Sequence, residues 1–164
     1  MSEFVTTPTD TRHRNLSKIR EDTHIHAPYT IVRERLLAIS EHAEWLSKRF
    51  RNYNASGQSL AFELSLTGRT ETGHLNLDEN DPFKVSFKRE NEEGEIDGLN
   101  WTIHVETKQD THLTVEAVFE PQLGLLGSVL EAVMLRPQRT QALRDSIWNL
   151  KQIIEHEYSK QPIS

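Results

Sequence analysis

Between residues 59 and 119 apolar side chains recur at every second position. Leu60, Phe62, Leu64 and Leu66 alternate with Ser59, Ala61, Glu63 and Ser65, the period of a half-buried strand. Thr67-Gly68 marks a turn, and a second strand runs from about Arg69 to Leu77. Asp78 to Pro82 is another turn, followed by a short strand with Val85 and Phe87. Glu90 to Gly98, acidic and containing two glycines, reads as a loop. Leu99, Trp101, Ile103 and Val105 then form one strand face, Lys108-Gln109-Asp110 turns the chain, and Leu113, Val115, Ala117 and Phe119 form the matching face. Short polar turns between consecutive strands favour antiparallel hairpins over parallel crossovers.

The flanks follow other periods. Residues 1 to about 17 hold little that is apolar and read as a tail. A strand from Ile19 to Ala27 sets Thr23, Ile25 and Ala27 against His24 and His26, and Pro28 closes it. Ile31, Leu36, Leu37 and Ile39 give a helical stripe, and a second short helix carries His42, Trp45 and Leu46, with Ser40 placed as its N-cap. After Pro121 the pattern is helical from Leu123 to about Tyr158, with Leu143, Ile147, Leu150 and Ile154 on one stripe. Pro137 cannot donate to the carbonyl of Val133, at a cost of about 3 kcal/mol in a straight helix. A kink or short break is therefore expected over 133–137. No repeat or linker divides the chain, which reads as one domain over 18–158 with tails at 1–17 and 159–164.

This order of elements resembles the helix-grip fold, an α+β architecture. In it a curved antiparallel sheet wraps around a long C-terminal helix, with two short helices after the first strand. The resemblance is to the polyketide cyclase/dehydrase and lipid-transport superfamily, the START-like or SRPBCC proteins. Ile25-His26-Ala27-Pro28 with Val32 and Trp45 resembles its first strand and opening helices, and Asp81 to Phe87 its central turn and strand. Trp101-Thr102-Ile103 and Thr111 to Val115 resemble its last two strands, and Leu143 to Lys151 with Glu155 its terminal helix. The resemblance implies a hydrophobic cavity between sheet and helix. It carries over no catalytic residue, because the fold hosts binders, carriers and enzymes alike.

On this arrangement Phe62, Leu64, Leu75, Trp101, Ile103, Val115, Ala117, Leu130, Val133 and Met134 point inward and line the cavity. The same period sends Glu71 and Arg69 inward, where they would orient a ligand or serve as acid and base. The plainer alternative keeps both near the strand end, in contact with solvent and paired with each other. The apolar run Leu123 to Leu130 is either buried on two sides or a glycine-containing gate able to touch a membrane or partner. His24 and His26, at i and i+2, share a strand face, but no third ligand is evident by spacing and H-E-x-x-H is absent. No metal or other cofactor is expected. Nucleotide loops and the G-x-S-x-G elbow are absent as well.

Composition narrows the partners. The net charge is -6 with no run of Lys or Arg, which argues against nucleic acid. Cysteine is absent and the N-terminus lacks a signal-peptide pattern, so a cytoplasmic location is expected. The longest strongly apolar stretch is too short to span a bilayer, though transient membrane contact stays open. The leading expectation is a protein that binds or carries a small hydrophobic or amphipathic molecule. One alternative is a cyclase or dehydratase using Glu71, Arg69 and Tyr53 on a polyketide-like or aromatic substrate; the other is a protein-interaction module without a small ligand. Oligomeric state is left open.

Overall fold

Alternating apolar positions build one antiparallel sheet of seven strands in the order β1-β7-β6-β5-β4-β3-β2. The structure is a computed structural model that describes residues 16–121 and 124–160. Its strands are β1 (Ser17–Ile25), β2 (Phe50–Ser56), β3 (Ser59–Leu66), β4 (Arg69–Asp81), β5 (Lys84–Gly94), β6 (Ile96–Thr107) and β7 (Asp110–Phe119). Helix α1 (Tyr29–Leu37) and a 3-10 helix (Ile39–Glu44) follow β1. The chain ends in α2 (Leu125–Leu130), a π turn (Glu131–Leu135) and the long α3 (Arg136–Ser159). Most of both expected tails lies outside the described residues.

Register puts the inward residues in rows. Leu60 faces Leu75, Phe62 faces Gly73 and Leu64 faces Glu71; Leu99 faces Ala117, Trp101 faces Val115 and Ile103 faces Leu113. The curved sheet carries these rows on its inner face, where they join Leu143, Ile147, Leu150 and Ile154 of α3 in one core. This is the helix-grip architecture that the order of elements implied.

Several details differ from the sequence reading. Residues 90–98 are not a loop: β5 continues to Gly94 and β6 starts at Ile96, although Asn91, Glu92 and Gly94 have positive φ and distort the hairpin. Strand β4 likewise runs through the expected turn to Asp81. Strand β2 was missed because a register shift between Arg51 and Asn54, with Asn52 at φ 52°, interrupts its alternation. The second short helix is 3-10 and begins after Ala38, so Ser40 does not cap it.

The expected break before Pro137 is present. A π turn spans Glu131–Leu135, and the amide of Arg136 donates to the carbonyl of Glu131, five residues back. Widening the helix here accommodates a ring that lacks an N–H.

Two features of the core are sensitive to substitution and to pH. At Gly73 a Cβ would stand 2.5 Å from Cζ of Phe62, so the ring lies directly over bare backbone. Gly73→Ala is expected to displace Phe62 and to lower unfolding free energy by about 1–3 kcal/mol, measured by urea denaturation. The second is His42, 3% exposed, whose Nε2 lies 2.8 Å from the carbonyl oxygen of Leu36. Burial pushes its pKa down to about 4, the hydrogen bond to Leu36 opposing the shift only in part. Protons therefore bind the unfolded state first as pH falls. The stability that neutral His42 contributes is complete above about pH 6.5 and is lost between there and about 4, to the extent of roughly 3 kcal/mol. His42→Gln should flatten this acid limb relative to the parent protein.

Candidate ligand-binding site

The concave face of the sheet and the first half of α3 enclose a small void of about 10 Å³. Its walls are Ile19, Phe50, Phe62, Leu64, Ile96, Leu99, Ala117, Phe119 and Leu143, with Arg139 as the one charged side chain. A space of this size admits about one water. Pockets for drug-sized ligands run to about 300–1,000 Å³, so a larger guest requires these walls to part.

Arg139 is 1% exposed and Glu71 is fully buried. The guanidinium grips the carboxylate with two bonds, Nε to Oε1 at 2.7 Å and Nη2 to Oε2 at 2.6 Å. Arg69 adds a third, Nε to Oε2 at 2.9 Å. Nη1 of Arg139 donates to Glu131 Oε1, and its Cζ lies 3.9 Å from the centroid of the Phe119 ring. Two acids and two arginines make a charge-balanced set, the condition for keeping ions out of water.

The structure sorts the expected lining residues into three groups. Phe62, Leu64 and Ala117 line this void. Leu75, Trp101, Ile103 and Val115 face the same core beyond it. Leu130, Val133 and Met134 do not point inward: they are 37%, 73% and 38% exposed, while Glu131 and Leu135 take the inner face. Assigning apolar residues to the inside fails where the inner contact is an ion pair, and Glu131 turns in to meet Arg139.

Glu71 is buried rather than at the solvent, which overturns the plainer alternative for it. Arg69 is half-buried and does pair with it. Tyr53 is committed elsewhere, its hydroxyl donating to the carbonyl of Ile39 at 2.6 Å. Arg139 was missed, yet it sits four residues before Leu143 on the same stripe, and an inward cation opposite an inward Glu71 was the available signal. Trp45 was noted only for its place in the opening helices; its indole N–H is buried with no hydrogen-bond partner among the described residues, and its ring stands edge-on to Trp101.

Segment α2 is not buried on two sides. Leu125, Leu126 and Val129 are 92%, 88% and 62% exposed, and Gly124 before them has φ 98°. No helix of the described residues is long and apolar enough to cross a membrane.

Removing one partner from the buried pair should be costly, and removing both far less so. Arg139→Met is expected to lose about 3–5 kcal/mol by leaving the buried Glu71 with Arg69 alone, and Glu71→Leu added to it to restore at least half of that loss. Urea denaturation of the two single variants and the double variant measures this directly.

No family model matches the chain, and no curated protein matches it. Solved structures do. A Thermus thermophilus protein superposes with TM-score 0.69 at 14% identity, over 88% of this chain and 100% of its own. The Zhui aromatase/cyclase of Streptomyces gives 0.67 at 13%, over 87% and 96%. A START superfamily protein of Mycobacterium smegmatis gives 0.65 at 10%, over 85% and 97%. Such identities speak to fold alone, and the fold of this chain is the helix-grip fold of the START-like and polyketide cyclase proteins.

Proposed function

We propose that the chain binds a small amphipathic molecule between its sheet and α3, the tail among apolar walls and an oxygen against Arg139. The observation that carries this reading is the void walled by apolar side chains around one buried guanidinium. Burial of apolar surface supplies affinity at roughly 25 cal/mol per Å², and the guanidinium supplies orientation.

Entry is through the π turn and α2. All three nitrogens of Arg139 are already engaged, two of them by Glu71 on the sheet and Nη1 by Glu131 on the π turn. Outward movement of that turn withdraws Glu131 and leaves Nη1 for an acceptor on the ligand. The exposed leucines of α2 support a role in meeting a carrier surface or membrane during loading. A cyclase or dehydratase reading requires Glu71 to exchange a proton with substrate, but both its oxygens accept from arginines. We therefore assign Glu71 to holding Arg139 rather than to chemistry.

Mass spectrometry of an organic extract of the purified protein, with titration of a fluorescent long-chain fatty acid, tests the proposal. Ala117→Phe overfills a void with room for about one water and is expected to weaken the fatty acid by about tenfold or more, with retention of the fold checked by far-ultraviolet dichroism. Glu131→Ala removes the competing carboxylate and should strengthen it. An empty extract together with fatty-acid binding indifferent to Ala117→Phe would refute the reading.

A further inference from the structure

At the other end of the molecule the fold completes a ligand set that two histidines began. His24 lies on the exposed face of β1 and His26 just beyond the strand, while Asp110 opens β7 at the β6–β7 turn. Pairing of β1 with β7 brings residues 84 apart in sequence into contact. Asp110 Oδ1 stands 3.2 Å from Nε2 of His24 and 2.9 Å from Nδ1 of His26. The three candidate donor atoms all lie within 4.8 Å of one another.

We infer that His24, His26 and Asp110 form a surface site for a divalent transition ion of the zinc type, water completing its shell. Bonds of about 2.0–2.1 Å in a tetrahedron place ligand atoms about 3.3 Å apart. Both separations from Asp110 are already near that edge. Two imidazoles and a carboxylate suit zinc and its neighbours rather than calcium or magnesium, which prefer all-oxygen shells.

Each proposed ligand is also held from behind. Nδ1 of His24 faces Oε2 of Glu106 at 3.2 Å, the carboxylate–histidine arrangement that aims the opposite ring nitrogen at a metal. Oδ2 of Asp110 accepts from the hydroxyl of Thr107 at 2.6 Å, leaving Oδ1 to the histidines. The amide of His26 donates to Glu155 Oε1 at 2.9 Å. Lys151 is the nearby cation, and it is turned away: its Nζ holds the carbonyl of His24 and the carboxylate of Glu155. Bound metal would join the end of β1, the β6–β7 turn and, through Glu155, the last turns of α3.

The test is titration of the full chain with Zn²⁺ alone in a non-coordinating buffer, followed by calorimetry and by competition with a chromogenic chelator. Co²⁺ provides a second readout through the intense visible bands of a four-coordinate ion. One ion per chain is expected, together with a rise in melting temperature. His24→Ala, His26→Ala and Asp110→Asn should each weaken binding about tenfold or more and abolish the Co²⁺ bands. Thr107→Val should weaken it less, and His104→Ala, on the same sheet face, not at all. Four of these positions are exposed and Asp110 is half-buried, and folding of each variant is checked by dichroism. Absence of saturable binding, or binding that survives all three ligand substitutions, would overturn the assignment.

Discussion

The bidentate grip of Arg139 on Glu71 is the contact on which the placement of the terminal helix depends. Apolar packing between α3 and the sheet is not directional, so Leu143, Ile147 and Leu150 would tolerate small slides and rotations of the helix. A buried carboxylate facing a buried guanidinium would not. Displaced by an ångström or two, each ion keeps its desolvation cost and loses the partner that offsets it. The pair thus selects one rotation and one height of α3 over β4, with Arg69 and Glu131 balancing the remaining charge.

From that position the irregular start of the helix follows. Leu135 and Arg139 lie one turn apart on the inner face, and Glu131 lies one turn before Leu135. Pro137 stands between them, unable to donate to the carbonyl of residue 133. The π turn reconciles these demands: it relieves the ring and still brings the Glu131 carboxylate round to Arg139. N-terminal to Glu131, Leu125, Leu126 and Val129 of α2 are exposed.

Most of the sheet was legible because period two depends only on backbone geometry. Every regular strand with an unbroken alternation was found, and the register confirms Glu71 as inward beside Leu64. What escaped reading was irregular or long-range. Strand β2 hides its alternation behind a bulge at Asn52, and the acidic end of β5 mimics a loop through three residues of positive φ. On the helix, hydrophobicity chose Leu130, Val133 and Met134, whereas the inner face went to Glu131 and Arg139, whose burial makes sense only once Glu71 is placed opposite. Asp110 was invisible for a related reason. Its neighbours His24 and His26 are brought to it by strand pairing, and no local spacing encodes that.

The two polar clusters divide the terminal helix into parts with different freedom. Near its start, α3 is tied to β4 by Arg139; near its end, Lys151 and Glu155 tie it to the backbone of His24 and His26. Motion of the helix as a whole would break both ties. Motion of α2 and the π turn breaks the bond of Glu131 to Arg139 and draws Leu135 out of the core, while Arg139 keeps Glu71. On the proposed reading, the interior opens at the segment N-terminal to Arg139. It is the segment where the helix is already irregular, already bordered by Gly124, and already apolar on its outside.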